Sequence, residues 1–367
     1  MAGKRRTPWV WLVVAALLLA LGAWLMRGAE PPDREPLEPV RLPTHMSRAE
    51  SQRATERRTW VPLVVDAGVL APPAPPRDPV LALMPAHVEK GAVVAEFNAI
   101  LNSELGGLMT QCLFGDGEDD FLGELRDAGL DPTTKVDRVA MIDDAMAVTG
   151  DFRNAQWRQF LPKSAVSKGY GRQGELVEVP LRDGGVDTFA TWGGQMFLAG
   201  DEAELKRILD RLDGSGPAVD KPVLDDSMAF GEVYGVLNAQ SLARVLGQQD
   251  PQLADLIERS AKSVELHMDI SHDVGLVADV NPSDAKTTEE LRRALGSALS
   301  LARMKAQAEG KRDEADILDL ARVKAAQGGG GFRLEAGLPY DYMAKTFREC
   351  VEQKKARRAA GEADGGN

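Results

Sequence analysis

Residues 264–280 read VELHMDISHDVGLVADV and contain the clearest strand pattern of the chain. In the first half of this stretch, apolar and polar side chains alternate, which is the two-residue period of a half-buried strand. The alternation resumes after His272-Asp273, so the stretch predicts an antiparallel hairpin with one apolar face. Such alternation argues against a doubly wound parallel sheet, because the strands of that fold are apolar on both sides.

Strands and helices alternate around this hairpin in two similar blocks. The strands AVVAEFNA (92–99) and FGEVYGVLN (230–238) open the blocks, and each is followed by helical spacing, an antiparallel pair and a further helix. We therefore predict an α+β fold with antiparallel or mixed sheets and helices on one face. The blocks suggest two similar lobes, residues 80–215 and 216–351. They also suggest an internal duplication, although their identity is too low to establish one.

The segment 9–26 reads WVWLVVAALLLALGAWLM and contains no charged residue. As a helix rising about 1.5 Å per residue it would span roughly 27 Å, close to the hydrocarbon thickness of a bilayer. Lys4, Arg5 and Arg6 precede it, so the positive-inside rule predicts a transmembrane signal-anchor with residues 1–8 in the cytoplasm. A cleaved signal peptide is the alternative, with Ala20-x-Gly22 as its best cleavage signal.

Residues 27–79 form a Pro-rich linker that contains 11 of the 21 prolines. Proline fixes φ and lacks an N–H donor, so such segments favour extended, solvated chain. Within the linker we expect a short polar helix after Ser47, acting as a spacer or contact site. Its arginines are expected to be solvated, and contact with anionic headgroups or polymer is the alternative; they are Arg48, Arg53, Arg57 and Arg58. After the folded body, residues 352–367 are small, charged and Gly-rich, which predicts a disordered tail.

Composition excludes several classes of protein. The hydrophobic share of 44% is too high for a wholly disordered chain. The first 60 residues carry ten Lys/Arg and six Asp/Glu, so of the net charge of −12 the remaining chain carries −16. An acidic body is a poor general binder of nucleic acid, because phosphate binding needs a basic surface. The sequence also has no P-loop, no G-x-S-x-G elbow, no H-E-x-x-H and no C-x-x-C.

Metal binding has two candidate positions. His267 and Asp269 share one strand face and could bind zinc or copper with a third ligand, although a solvent-facing polar strand is the favoured interpretation. The acidic loop at 116–120 could hold calcium, but its spacing does not match a calcium-binding loop and favours a solvated turn. We therefore predict no catalytic, cofactor-binding or metal-binding residue.

Cys112 and Cys350 are the only cysteines, and both fall on apolar helix faces. In an oxidising compartment they are candidates for a disulfide that ties the last helix to the first block, and two buried free thiols are the alternative.

Trp60, Trp157 and Trp192 are expected to pack in the core, and Phe160, three residues after Trp157, supports this for Trp157. For Trp192, which precedes Gly193-Gly194 on a predicted strand, the alternative is that it lines a groove.

These features favour a non-catalytic protein with a single membrane span at residues 9–26. Its residue usage resembles that of bacteria with GC-rich genomes, and we expect an inner-membrane location with the C-terminal domain in the periplasm. That domain would bind an envelope protein partner in assembly, scaffolding or sensing, and would not bind nucleic acid. The alternatives are a carrier of an apolar ligand such as a lipid, and, with less support, a carboxylate-dependent hydrolase.

Overall fold

The computed structural model describes residues 40–58, 77–114, 127, 129–181, 185–217, 219–247, 251–326 and 330–364. The predicted anchor, the acidic loop at 116–120 and Trp60 lie outside these ranges. Among the described helices, none combines the length and the apolar character that crossing a bilayer requires.

The described strands form one continuous 12-stranded antiparallel sheet, which agrees with the predicted α+β class. The strand order is β11-β12-β10-β9-β8-β1-β2-β3-β7-β6-β5-β4, and the predicted hairpin is β9–β10. The strands are β1 Gly91–Ala95, β2 Val136–Ile142, β3 Ala145–Gly150, β4 Val166–Tyr170, β5 Gly174–Pro180, β6 Val186–Trp192, β7 Met196–Ala199, β8 Val233–Asn238, β9 Ala261–Asp269, β10 Val274–Pro282, β11 Arg322–Ala325 and β12 Phe332–Leu338.

Helices connect some of these strands and turns connect the others, and a 3-10 helix covers Trp157–Phe160. The last helix runs on to Asp364, so the predicted disordered tail begins inside a helix. The α-helices are α1 Arg48–Glu56, α2 Pro79–Ala82, α3 Phe97–Leu101, α4 Glu104–Phe114, α5 Pro132–Lys135, α6 Glu202–Asp213, α7 Ala239–Leu246, α8 Pro251–Ser260, α9 Ala285–Ala308, α10 Arg312–Asp319 and α11 Tyr340–Asp364.

The two sequence blocks meet at the centre of the sheet, where β1 pairs with β8. Moving outward from this pair, one half has the order β1, β2, β3, β7 and the other has β8, β9, β10, β12. Each central strand leads directly into a helix, with Glu96 and Asn238 as the N-cap residues. The sheet is continuous across the predicted lobe boundary, and a duplication would produce this repeated order of elements.

Helices pack on opposite faces in the two halves of the sheet, which differs from the predicted single covered face. Residues paired across neighbouring strands form a row whose side chains share one face of the sheet. Neighbouring residues on one strand point to opposite faces, so two adjacent rows face two different cores. The first row belongs to the core under α6 and consists of Val236, Ala92, Ile142 and Ala145. The second row consists of Leu237, Val264, Val280 and Phe332. Its Val280 and Phe332 pack in the core under α7, α8 and α9.

A disulfide joins Cys112 of α4 to Cys350 of α11, with a Cα–Cα distance of 5.6 Å. The two residues are 238 positions apart, so this bond connects the last helix to the first block. Nearby, Leu105 of α4 and Met343 of α11 pack together with Val274 of β10. The helices that carry the two sulfur atoms therefore also share an apolar contact.

Candidate functional site

Residues 152–174 are locally basic in a chain whose net charge is −12. This run contains five Lys or Arg residues and no Asp or Glu, and it lies between Asp151 and Glu175. It also contains four aromatic residues. Clustered cations among aromatic side chains are suited to binding anionic partners, since arginine pairs with carboxylates and stacks on rings. This run was not predicted as a site, although its charge is visible in the sequence.

The structure folds this run into one wall of an open groove of about 650 Å³. The groove lies near the free end of the sheet and draws its lining from residues 152–158, 169–175 and 191–197. We call this surface the basic groove, after its three arginines, Arg153, Arg158 and Arg172. It combines an aromatic wall, charged side chains and a glycine turn.

Three aromatic rings form the wall of the basic groove. The ring centroid of Phe197 is 4.7 Å from that of Phe152 and 5.4 Å from that of Trp157, in tilted and edge-on arrangements that aromatic pairs favour. Trp157 is half-buried, so it stands at the surface rather than in the core as predicted. Two further rings near this region, Phe160 and Phe189, are 39% and 38% exposed.

The arginines differ in how far they are neutralised. Arg158 lies 5.2 Å from the centroid of the Trp157 ring and donates to both oxygens of Glu175, at 2.6 and 2.7 Å. Arg153 Nε donates to Asp151, and this hydrogen bond lowers the pKa of Asp151. None of the ion pairs among the described residues involves Arg172, whose side chain is exposed. Arg172 therefore gives the groove a cation for an incoming ligand.

A buried carboxylate holds the loop that carries Arg172. Asp213, at the end of α6, is 3% exposed and accepts hydrogen bonds from the Arg172 backbone N–H at 2.5 Å and from Trp192 Nε1 at 2.8 Å. Gly171 has φ +62°, and a Cβ there would lie 2.0 Å from Asp213 Oδ2. Trp192 is buried as predicted, and its indole fixes Asp213 rather than lining the groove.

A glycine turn closes the base of the groove between β6 and β7. Gly193 and Gly194 have φ +58° and +65°, a region that glycine adopts without steric cost. The Gly194 carbonyl accepts the Phe152 N–H at 2.9 Å, and a Cβ on Gly194 would lie 2.9 Å from Arg153 Cγ. The turn therefore fixes the start of the basic run against the sheet.

The metal-binding alternative for His267 is not supported by its surroundings. His267 is 1% exposed, stacks on Phe230 at 3.7 Å and has both ring nitrogens facing oxygen acceptors, the Phe230 carbonyl and Glu265 Oε1. The favoured prediction of a solvent-facing strand side is also wrong for this residue. Within the described residues, no group of three His, Cys, Asp or Glu side chains is placed to hold a metal ion.

Residues 40–58, which we call the strap, lie on the body instead of extending from it. The helix predicted after Ser47 is present as α1, with the Ser47–Glu50 capping box formed. Arg53, Arg57 and Arg58, which we expected to be solvated, contact carboxylates of the body, and so does Arg41. The contacts are Arg41–Asp269 at 4.0 Å, Arg53–Glu232 at 3.8 Å, Arg57–Glu96 at 2.5 Å, Arg57–Asp137 at 2.8 Å and Arg58–Asp226 at 3.3 Å. In addition, the Gly231 backbone N–H of the body donates to Glu50 Oε1 of the strap at 2.5 Å.

Two of the carboxylates beneath the strap, Glu96 and Glu232, are buried. Glu232 is 7% exposed, and burial together with the nearby charge of Asp269 raises its pKa to about 7. Close by, Arg138 is 3% exposed and binds both oxygens of Asp78. Burial alone would lower the pKa of Arg138, but the charge and hydrogen bonds of Asp78 raise it, so the guanidinium stays charged.

A second cleft, of about 300 Å³, connects the strap to the basic groove. Its lining includes Arg57, at the end of α1, and Trp192. Met196 lines both the cleft and the basic groove. The cleft beside the strap and the basic groove therefore have one lining residue in common.

This chain matches no known family model, no curated protein sequence and no solved structure. Its function therefore has to be inferred from its own residues.

Proposed function

We propose that this chain is a non-catalytic, membrane-anchored envelope protein whose external α+β domain binds a protein partner through the basic groove. The anchor at residues 9–26 and the periplasmic location of the domain are parts of this proposal. They are supported by the uncharged 18-residue run, by the three preceding cations and by cysteines that suit an oxidising compartment.

The observation that carries the binding role is the composition of the basic groove. It gathers three arginines and three aromatic rings from separate parts of the chain into one open surface. Arginine and aromatic residues are enriched at the centres of protein interfaces, where they supply most of the binding energy. The exposed rings of Phe160 and Phe189 add apolar area in this region.

Site-specific photo-crosslinking in the native host tests this role. A photoreactive phenylalanine analogue replaces Gln173, an exposed groove residue, in the full-length chain. The matched control places the same analogue at Gln240, an exposed residue of α7 outside the groove. We expect one discrete protein adduct from position 173 and none from position 240.

The variant Trp157→Ala adds specificity to the experiment, because it removes part of the groove wall. We expect it to abolish the adduct at position 173 while expression stays unchanged. Equal adducts from positions 173 and 240, or an adduct that survives Trp157→Ala, would contradict binding at this groove.

A further inference from the structure

We infer that the groove binds an acidic polypeptide segment that carries apolar side chains, supplied by the partner protein. This inference rests on the proposed function and adds the chemistry of the occupant to it. It is drawn from the charge, the aromatic surface and the open form of the basic groove.

Charge complementarity is the first argument. The chain after residue 60 carries −16, so most of the body repels an acidic segment, while residues 152–174 carry five cations and no carboxylate. Opposite charges steer association, and like charges elsewhere on the surface suppress wrong orientations. An acidic segment is therefore directed to the groove and away from the rest of the surface.

The arrangement of the arginines is the second argument. Arg172 has an exposed side chain with no ion-pair partner among the described residues, and its backbone is fixed by Asp213. Arg158 is held over Trp157 by Glu175. A guanidinium binds a carboxylate through two parallel hydrogen bonds, so Arg172 can take a carboxylate of the segment without any rearrangement of the backbone.

Exposed aromatic surface is the third argument. Phe160 ends the 3-10 helix that presents Trp157 and Arg158, and it is 39% exposed. Phe189 lies two residues before Thr191 on β6, so it shares the sheet face of that groove residue, and it is 38% exposed. These rings fit apolar side chains that alternate with acidic ones in an extended segment.

A densely charged polymer fits the groove less well. Two of its three arginines already face carboxylates, Asp151 and Glu175, which would repel a chain of closely spaced phosphates or sulfates. The groove is also part of a strongly acidic protein, which opposes nucleic-acid binding. A polypeptide whose carboxylates are spaced by apolar residues carries fewer charges along its length, which reduces that repulsion.

Fluorescence anisotropy on the full chain in detergent micelles tests the inference. The probes are labelled 12-residue peptides of alternating Glu and Leu, Gln and Leu, or Lys and Leu. We expect the Glu peptide to bind at least about tenfold more tightly than the other two peptides. Its affinity should fall as the salt concentration rises. Arg172→Glu should lower the affinity for the Glu peptide by roughly tenfold or more. Arg244→Glu, which changes an exposed residue of α7, should leave that affinity unchanged.

Three outcomes would overturn the inference. These are equal binding of the Glu and Gln peptides, unchanged binding to Arg172→Glu, and binding to anionic phosphatidylglycerol vesicles in preference to the Glu peptide. The crosslinking at position 173 separates this failure from failure of the proposed function. If a specific adduct forms but peptide binding does not depend on charge, only the acidic nature of the occupant is contradicted. If neither is observed, the groove is not a binding site.

Discussion

Arg57 Nη1 lies 2.5 Å from Glu96 Oε2 and joins the strap to a carboxylate that is only 4% exposed. Helix α1 contains no buried residue of its own. The strap is therefore held mainly by charge contacts and by the packing of residues 40–43, not by an apolar helix face. Charge contacts weaken with salt, and removing one partner leaves the other buried without compensation.

Arg57→Ala should release the C-terminal part of the strap and destabilise the body. Glu96 loses the cation that pairs with it, and breaking a buried pair costs on the order of 3–5 kcal/mol. Hydrogen exchange across residues 48–56 should accelerate, and urea unfolding should report the lower stability. Arg48→Ala is the matched control, since Arg48 is exposed on the same helix. Unchanged exchange in Arg57→Ala would contradict docking by this residue.

Stability should depend on the ionisation of Glu232. Burial raises its pKa to about 7, so the folded state binds the proton more tightly than the unfolded chain does. The stability that this group contributes is fully present below about pH 4.5 and is lost as the pH rises through about 7. Glu232→Gln should therefore flatten the pH dependence of the unfolding free energy between these values.

Urea titrations at intervals from pH 5 to pH 8 measure this effect. Glu258→Gln, which changes an exposed carboxylate of α8, serves as the control and should follow the unmodified chain. Parallel profiles for Glu232→Gln and the unmodified chain would show that Glu232 does not carry this pH dependence.

Asp213→Ala should destabilise the chain and loosen the basic groove. The Trp192 indole and the Arg172 backbone N–H lose their acceptor, and an unsatisfied buried donor costs about 1–3 kcal/mol. Thermal unfolding should show a lower midpoint, and Trp192 fluorescence should shift as its surroundings change. Asp201→Ala removes an exposed carboxylate whose side chain makes no capping hydrogen bond at the start of α6. Equal midpoints for the two variants would contradict the role of Asp213.

Reduction of the Cys112–Cys350 bond should lower stability by about 2–5 kcal/mol, because the bond restricts the unfolded chain over 238 positions. Thermal unfolding with and without reductant measures this. A variant with both residues changed to Ser should match the reduced chain and should not respond to reductant. A response in that double variant would assign the effect to another group.

The sequence allowed much of the secondary structure to be predicted, because alternation and capping are local signals. The hairpin at 264–280 and the helix after Ser47 both form. Alternation also placed His267 on the polar side of β9. It gave no sign that Phe230 and the strap cover that side, because those contacts come from residues distant in the chain.

The capping signal of α9 shows a second limit. Thr287-x-x-Glu290 has the pattern of a capping box, but the helix begins at Ala285, with the Asp284 side chain accepting from the backbone N–H groups of Lys286 and Thr287. Two capping residues compete within one turn, and the earlier one is used. The basic groove combines three segments, so only its charge, and not its shape, can be seen in the sequence.

Docking of the strap limits how far the domain can reach from the proposed membrane anchor. With Val40 resting against Gly337, only the 13 residues numbered 27–39 lie between the proposed anchor and the body. A chain of that length reaches about 45 Å when fully extended. Residues 59–76 add nothing to this distance while both of their neighbours are fixed on the body. The proposed linker then acts as a short tether. The effective concentration of the domain, and with it of the basic groove, is therefore highest close to the membrane surface.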